Sequence, residues 1–327
     1  MKLSDKEKRV LAGAELHANE NAAELAQRLG MGINSVRYAL RELQRWETIK
    51  RVPFVNLYPL GFTDFVVFFS VSSKHGAEKV ESGMKALENN NHVTWLAELG
   101  GQYQYGVAIF VRDIAEFVSF LSYLTKIFEG MTIKKSVRMS KRFHRYNRTY
   151  LDPSIPKESL SFGVVDGAEV RFDETDEKIL LAMSNKPTFP VSYHAKHLGI
   201  PISTWHSRIR RLKENGVYSG DLFAIDTTEL GYVLYNLHVY TNGLYGELEE
   251  KLRAWADTHP NVVHFIECIA SWDFEIGIEV ESPQQITKIS RELYETFGND
   301  ISQVETIPLF HNRKYTFFRP VLKRFSA

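Results

Sequence analysis

The chain contains one multi-part sequence unit twice, with the copies 169 residues apart. The segment 3–11 aligns with 172–180, the segment 22–43 with 191–212, and the segment 92–111 with 261–280, each without a gap. Two copies of a long unit in one polypeptide indicate that a protein usually assembled from two chains has been fused into one. We therefore expect an internal pseudo-dimer.

Length and composition favour a globular protein without a membrane partner. The 327 residues are 44% hydrophobic, which is enough apolar surface for about two to four compact units. No apolar run approaches the roughly 20 residues of a membrane helix, and the first residues lack the apolar core of a signal peptide. These features predict the cytoplasm. The single cysteine, Cys268, excludes a disulfide within the chain, and its apolar neighbours favour a packing role.

The first part of each copy has the apolar periodicity of helices separated by a tight turn. A small residue, a glycine four positions later and a bulky apolar residue ten positions later recur in both copies, as in a helix-turn-helix. The glycine permits a left-handed turn, and the bulky residue fills the core between the helices. The residues that define this spacing are Ala26, Gly30 and Val36 in the first copy and Ala195, Gly199 and Trp205 in the second.

The outward positions of the last helix are polar and basic in both copies. Arginine can bind guanine edges or phosphates with two hydrogen bonds, and Ser, Thr and Asn near a helix start contact phosphates and base edges. A solvated basic face is the alternative, but the turn spacing favours DNA. The predicted DNA contacts are Asn34, Ser35, Arg37, Tyr38, Arg41 and Arg45 in copy one and Ser203, Thr204, His206, Ser207, Arg208, Arg210 and Arg211 in copy two.

The second part of each copy predicts the order β-α-β-β-α-β. Such a unit folds as a four-stranded antiparallel sheet with helices on one face, and the other face then requires a partner. The other copy supplies that partner. The predicted elements are 65–69, 76–90, 93–99, 104–111, 113–128 and a strand from 132 in copy one, and 235–240, 246–258, 262–269, 273–280, 283–297 and 301–318 in copy two.

A helix-turn-helix followed by a βαββαβ domain resembles the Lrp/AsnC (feast/famine) transcriptional regulators, once per copy. The second copy carries the resemblance more closely, in FDETDEKIL, STWHSRIRRLKENGV, ELGY and THPNV. Copy one departs where Trp46-Glu47 replaces Asn215-Gly216 and where Asn91-His92 replaces His259-Pro260. We expect these changes to leave the fold intact but to alter the angle at which the recognition helix of copy one meets DNA.

The resemblance implies an α+β fold of two winged helix-turn-helix domains that alternate with two ferredoxin-like ligand domains. It also implies double-stranded DNA as partner, an amino acid or other small metabolite as effector, and a homodimer or higher homo-oligomer. The expected domains are helix-turn-helix domains at 1–52 and 172–222, ferredoxin-like domains at 58–150 and 228–322, and a linker at 151–171 with a short hairpin at Asp166-Gly167.

In that family the effector lies near the loop between the second and third strands of the sheet. The resemblance therefore implies effector contacts at Gly100, Gly101, Gln102 and Tyr103 in copy one and at Ala270, Ser271, Trp272 and Asp273 in copy two. Copy one is the better candidate, because glycines let a ligand reach backbone groups, whereas copy two has the bulky Trp272. Plain turns without a ligand are the alternative.

The net charge of zero conceals an opposition between the two halves. Residues 1–150 carry 22 Lys and Arg against 15 Asp and Glu, and residues 151–327 carry 18 against 25. Opposite potentials on similar surfaces favour pairing between the copies over self-pairing. The basic, aromatic stretch 134–148 is then predicted to receive the acidic copy, with contact to DNA phosphates as the alternative.

Enzyme chemistry has little support, and we predict no catalytic residue, metal or cofactor. The sequence has no glycine-rich phosphate loop and no Cys-x-x-Cys, and His194 and His197 lack further ligands at metal spacing. Siroheme decarboxylases of the haem pathway also resemble this architecture, and for that alternative the contacts would be His264, His311, Arg138 and Arg142. A further alternative is a regulator that has lost one DNA contact and binds other regulators.

The residues together predict a regulator whose two helix-turn-helix units read adjacent major-groove half-sites. Asn34, Arg37, Tyr38 and Arg41 differ from Ser203, His206, Ser207 and Arg210. The half-sites should therefore differ in sequence, unlike the palindromes that homodimers prefer.

Overall fold

Two helical units alternate with two sheet units along the chain. The computed structural model describes residues 3–72, 76–129, 131–165, 170–227, 230–243, 246–316 and 318–325. The first copy contains α1 (Asp5–Ala14), α2 (Ala22–Leu29), α3 (Ile33–Arg45), β1 (Ile49–Val55), β2 (Thr63–Ser72), α4 (Ala77–Asn89), β3 (Val93–Leu99), β4 (Tyr105–Val111), α5 (Ile114–Ile127) and β5 (Thr132–Tyr146). After β6 (Ser159–Gly163), the second contains α6 (Glu174–Asn185), α7 (Val191–Leu198), α8 (Ile202–Glu214), β7 (Tyr218–Ile225), β8 (Val233–Thr241), α9 (Glu247–Thr258), β9 (Val262–Ile269), β10 (Phe274–Val280), α10 (Pro283–Phe297) and β11 (Ile301–Tyr315).

Each helical unit has the predicted helix-turn-helix geometry. Gly30 and Gly199 end α2 and α7 in the left-handed region, at φ of +61° and +67°, where a side chain would be strained. Val36 and Trp205 are buried between the helices, as the spacing predicts. The first helix of each unit begins with a reciprocal capping box, formed by Ser4 and Glu7 in the first copy.

The strand that follows each recognition helix pairs with its counterpart in the other copy. β1 and β7 form a two-stranded antiparallel ribbon, in which Ile49 lies opposite Ile225. The helical units also exchange core residues across this ribbon. Phe223 of β7 packs into the core of the first unit, and Leu57 and Leu60 pack into the core of the second. The two helix-turn-helix units are therefore held together within one chain.

The two sheets join into one closed ring of eight strands. Their order is β2-β4-β3-β11-β8-β10-β9-β5, β5 also pairs with β2, and β6 extends the far half of β5. The 15-residue strands β5 and β11 each begin in one copy's sheet and end against the other copy's sheet. The pairing of ligand domains expected between two chains is thus made within this one.

Helices cover only the outer face of each sheet. α4 and α5 pack on the first sheet with Met84, Leu87 and Phe120, and α9 and α10 pack on the second with Leu252 and Leu293. The inner faces of the sheets face each other, so the α+β, twice-repeated βαββαβ prediction is confirmed. No helix in the described part of the chain is long and apolar enough to cross a membrane. The hairpin expected at Asp166-Gly167 lies outside the described residues.

The cations of the basic stretch contact glutamates of the second copy. Arg138 pairs with Glu275, and Lys141 lies 3.1 Å from both Glu249 and Glu267. These contacts have the sign expected from the charge division. The opposite arrangement also occurs, because Arg313 of β11 binds Glu81, Glu88 and Glu98 of the first copy.

Candidate functional site

The recognition helix of the first copy presents an unobstructed basic and aromatic face. Asn34, Arg37, Tyr38, Arg41 and Arg45 are exposed on α3, and Ser35 is half-buried. Tyr38 is 62% exposed. Arg45 lies 3.5 Å from Glu42. Among the described residues, Arg37 and Arg41 form no ion pair, so both guanidinium groups can reach a ligand.

The arginines of the second recognition helix, α8, have different contacts from those of α3. Arg208 and Arg211 bind the carboxylates at the start of α6, Asp173 and Asp176, and the side chain of Asp176 is fully buried. These two arginines therefore hold α8 against α6 rather than point outward with the other predicted DNA contacts. Arg210 is the predicted contact on this helix that combines full charge with exposure.

The remaining predicted contacts of α8 are uncharged or weakly basic. Ser203, His206 and Ser207 are exposed, Thr204 is half-buried, and the Ser207 hydroxyl donates to the Thr204 carbonyl over 2.9 Å. The counterparts of Arg37 and Tyr38 are thus His206 and Ser207. The first recognition helix consequently carries the stronger surface for an anionic partner.

The expected effector loop of copy one is covered by the second copy. Gly100 lies against Pro308 and Phe310 of β11, so closely that a Cβ there would stand 2.6 Å from the Pro308 ring. Gln102 donates to Glu305 over 2.5 Å, and Tyr103 is buried. Gly101, at φ +82°, supplies the left-handed turn of the loop.

The loop of copy two is closed by Trp272. Its indole is 1% exposed and stacks on His238 with ring centroids 3.8 Å apart. Asp273 accepts hydrogen bonds from the amide and hydroxyl of Thr241, both over 2.8 Å. Ala270 is half-buried and Ser271 is exposed. In both loops, residues of the chain itself occupy the positions expected to face an effector.

A cavity of about 720 Å³ lies between the inner faces of the two sheets and reaches the β1–β7 ribbon. Its wall is both aromatic and charged, which is typical of a site that orients a ligand. The aromatic lining consists of Phe54, Trp95, Phe110, Phe143, Phe162, Tyr232, Phe310, Tyr315 and Phe318. The charged lining consists of Glu47, Lys50, Asp64, Arg138, Arg145, Arg148, Asp226, Glu275 and Glu279.

The polar wall comes mainly from the second copy's sheet. β10 has Glu275, Gly277 and Glu279 where β4 has Gly106, Ala108 and Phe110, and β9 has His264 where β3 has Trp95. β8 has Asn236 and His238 where β2 has Val66 and Phe68. Two identical chains would carry these groups on both faces. The asymmetric cavity therefore depends on the divergence of the two copies.

Arg138 is the centre of one buried polar cluster in this wall. Its guanidinium donates to Asp64 and to Glu275, each over 3.2 Å. Burial raises the pKa of both carboxyl groups, and the arginine opposes that shift. Two acids thus share one cation. Burial, aided by the charge of Arg138, lowers the pKa of the neighbouring His264 to about 3, so this imidazole is neutral.

Arg148 is the centre of a second cluster, which joins three parts of the molecule. It binds Glu15, the residue that follows α1 in the first helical unit, and donates to both carboxylate oxygens of Glu279 on β10, over 2.7 and 2.8 Å. Tyr150 and Thr227 also donate to Glu279, over 2.6 and 3.2 Å. The cavity wall is therefore bonded directly to the first helix-turn-helix unit.

The structure brings together only half of the residues predicted for the decarboxylase alternative. Arg138 and His264 line the cavity, whereas His311 is exposed and Arg142 lies outside beside Glu267. Sequence reasoning missed Glu275 and Glu279. The signal was present in FEIGIEV, where acids alternate with apolar residues in a strand that a paired sheet must bury.

Among the described residues, no group of three or more His, Cys, Asp or Glu side chains could hold a metal ion. His194 stacks on Trp205 at 5.5 Å, and His197 stacks on Tyr193 at 6.0 Å. Burial raises the pKa of Cys268, so its thiol is protonated. His194 and Cys268 are therefore packing residues, whereas His197 is exposed.

No family model matches the chain, but individual proteins do. The HTH-type transcriptional regulator FL11 of Pyrococcus horikoshii is 29% identical over 119 residues, which are 36% of this chain and 76% of that protein. The HTH-type transcriptional regulator AldR of Mycolicibacterium smegmatis is 27% identical over 143 residues, 43% of this chain and 82% of that protein. The regulatory protein AsnC of Haemophilus influenzae is 32% identical over 60 residues, 18% of this chain and 40% of that protein.

The first two relatives thus match most of their own length within less than half of this chain, as a duplicated unit requires. The chain is similar to regulators of the Lrp/AsnC type. A solved structure with the same fold over almost the whole chain is the siroheme decarboxylase NirDL, with a TM-score of 0.61 at 13% identity, over 95% of this chain and 92% of that one. The same enzyme in complex with an iron-uroporphyrin III analogue gives a TM-score of 0.59. This likeness shows a common fold.

Proposed function

We propose that this tandem Lrp/AsnC protein is a sequence-specific DNA-binding transcriptional regulator. The observation that carries the proposal is the exposed face of α3, on which Arg37, Tyr38 and Arg41 have no ion-pair partner among the described residues. A helix that only supported a fold would gain nothing from three such side chains in water, whereas a recognition helix needs them at base edges and phosphates. The named relatives are transcriptional regulators, which supports this function.

The two recognition helices should read different sequences. Arg37 and Arg41 suit guanine, while His206 and Ser207 offer weaker and less charged contacts, with Arg210 beside them. Because Arg208 and Arg211 are bound within their own unit, we assign base and phosphate contacts on α8 to Ser203, His206, Ser207 and Arg210. The first half-site should then contribute more binding energy than the second.

Selection of binding sites from random DNA tests this function directly. The expected product is a pair of unequal half-sites about one helical turn apart, the spacing of paired recognition helices. Binding to the selected DNA should weaken steeply as salt rises, since arginine contacts to phosphate release counterions. A perfect palindrome would overturn the asymmetric reading, and the absence of any enriched sequence would overturn DNA recognition.

A tetrapyrrole decarboxylase is the second candidate. Two observations favour it: the fold shared with NirDL over 95% of the chain, and a cavity that brings Arg138 and His264 together. The charge of the cavity opposes it. Five acids line the cavity with four cations, whereas a uroporphyrin-type macrocycle bears carboxylates around its whole rim. Absorbance titration with iron-uroporphyrin III decides between them, because tight binding at one macrocycle per chain would favour the enzyme.

Assembly and location follow from the regulator proposal. Pairing of the ligand domains is already satisfied within the chain, so a homodimer or higher homo-oligomer would use the outer helices or the ends of the ring. We place the protein in the cytoplasm, where its DNA target lies. Light scattering of the purified chain, with and without its selected DNA, measures the assembly.

A further inference from the structure

The two loops from which an effector was expected are filled, whereas the space between the sheets is open. Trp272 closes one loop, and Pro308 and Phe310 cover the other. The cavity between the sheets, in contrast, has about 720 Å³ of space, within the range of small-molecule sites. The open space inside the ring, compared with the filled loops, favours a ligand inside the ring.

The aromatic part of the cavity wall suits a flat, conjugated molecule. Phe143 stacks on Phe162 with centroids 4.9 Å apart, and the Phe143 ring lies 5.6 Å from that of His264. Trp95 lies in the opposite sheet, with its indole nitrogen bonded to Asn312 over 2.8 Å. Rings held in fixed positions on both sides of a space favour a planar ligand, because little side-chain freedom is lost on binding.

The polar part of the wall has no net positive charge, because five acids line the cavity with four cations. Arg138 is bonded to Asp64 and Glu275, and Arg148 to Glu15 and Glu279. A ligand with many carboxylates would meet these acids without a surplus of cations. A neutral or singly charged ligand would instead find hydrogen-bonding groups already oriented. Asn236 Oδ1 and His264 Nε2, both buried in the wall, have no hydrogen-bond partner within the described structure.

The same wall is bonded to the first DNA-binding unit. Glu15 is the residue that follows α1, its side chain is fully buried, and it contacts both Arg145 and Arg148. Glu279 holds Arg148 from the side of the sheet, and Thr227, just after β7, also bonds to Glu279. A ligand group that binds Arg148 or Glu279 competes with the contact that fixes the first helix-turn-helix unit.

We propose that the cavity between the sheets is the effector site of this regulator. It binds a flat conjugated ligand with at most one negative charge. Ligand binding loosens the first DNA-binding unit through Arg148 and Glu15. The link to DNA rests on the proposed function, whereas the binding site does not. Competition for Arg148 weakens the ion pair with Glu15, and the first recognition helix then loses its fixed position relative to the second. DNA affinity falls as a result.

The probe for the site is 1-anilinonaphthalene-8-sulfonate, a conjugated molecule with one negative charge, titrated into the full chain without DNA. We expect saturable binding at about one probe per chain. Ala224→Phe, which fills part of the cavity from β7, should weaken binding at least fivefold. Ser219→Phe makes a bulky change at an exposed position of the same strand and should leave binding unchanged. Equal effects of the two variants would overturn the site.

Uroporphyrin III serves as the polycarboxylate comparison. We expect no displacement of the probe by this macrocycle. Stoichiometric binding of uroporphyrin at the cavity, lost in Ala224→Phe, would overturn the charge restriction and support the enzyme candidate.

The coupling is measured as DNA affinity with and without saturating probe. The wild-type chain should bind DNA at least threefold more weakly with the probe present. Glu15→Gln should bind the probe normally, but its DNA affinity should no longer fall when the probe is bound. If Glu15→Gln does not fold, Tyr150→Phe replaces it, because this change removes one hydrogen bond to Glu279 without changing charge. In Tyr150→Phe, the probe should reduce DNA affinity less than in the wild-type chain. DNA affinity unaffected by bound probe would overturn the coupling. If the chain binds the probe normally but binds no DNA, the proposed function is overturned and the binding site is not.

Discussion

The imidazole of His264 lies flat against the backbone of Gly277 in the wall of the cavity. A Cβ at position 277 would stand 2.1 Å from Cε1 of the imidazole, so glycine is what allows this close approach. The contact is specific to the second copy, since its counterpart pair is Trp95 and Ala108. The absence of a side chain at Gly277 on β10 thus sets the position of the neutral His264 in the cavity.

Gly277→Ala should therefore displace His264 and destabilise the second sheet. Overpacking at such a buried contact costs about 1–3 kcal/mol, measurable as a lower urea midpoint. His264→Ala removes the ring that the added methyl group would strike. In the His264→Ala background, Gly277→Ala should therefore lower the free energy of unfolding much less than it does in the wild-type chain. If Gly277→Ala lowers it equally in both backgrounds, the strain lies in the backbone instead.

Arg37→Ala with Arg41→Ala should reduce affinity for the selected DNA more than the matched pair His206→Ala with Arg210→Ala. Each lost base-reading contact costs about 1–3 kcal/mol, and the first helix offers the stronger contacts. Fluorescence anisotropy with labelled DNA measures both. All four side chains are exposed, so circular dichroism should show unchanged folding. Equal losses from the two pairs would contradict the asymmetry.

Asp176→Asn should destabilise the second helix-turn-helix unit. The carboxylate is fully buried and binds Arg208 and Arg211, and breaking a wholly buried pair costs about 3–5 kcal/mol. The cost should be smaller here, because both arginines are partly exposed. Glu174→Gln on the same helix breaks an exposed pair with Lys178 and should leave the urea midpoint nearly unchanged. Similar urea midpoints for the two variants would contradict the role of Asp176.

Acid should destabilise the protein through buried neutral histidines. Burial lowers the pKa of His238 and His264 from 6.5 to about 3. Between these two pKa values only the unfolded chain binds the protons. The stability that the neutral imidazoles contribute is therefore fully present above pH 6.5 and is lost as the pH falls below that value. Each histidine contributes a slope of about 1.4 kcal/mol per pH unit.

The measurement is the free energy of unfolding in urea between about pH 7 and pH 5, above the range in which exposed carboxylates titrate. The variant His238→Phe with His264→Phe should reduce the slope, while His206→Phe at an exposed position should not. Part of the slope should remain, because burial also lowers the pKa of His92 and His259 to about 4. A slope that persists unchanged in the double variant would assign the acid sensitivity to other groups.

Much of the architecture could be predicted from local sequence. The glycine turns at Gly30 and Gly199 follow from backbone sterics, and the change from helical to alternating periodicity marks each βαββαβ unit. The outward position of Arg37 and Arg41 follows from the helical period alone. The inward course of Arg208 and Arg211 does not, because it depends on acids 32 to 35 residues earlier in the chain that only the folded unit brings near.

The sequence by itself determined that the protein is a duplicated unit of a helix-turn-helix followed by a βαββαβ domain, because cores, caps and turns are local and recur in register. Only the tertiary structure decided where the two copies meet and what lies between them. The crossing of β5 and β11 into the opposite sheets sets the polar face of the second copy against the aromatic face of the first. That placement depends on strand pairings between residues more than a hundred positions apart, and no local pattern encodes them.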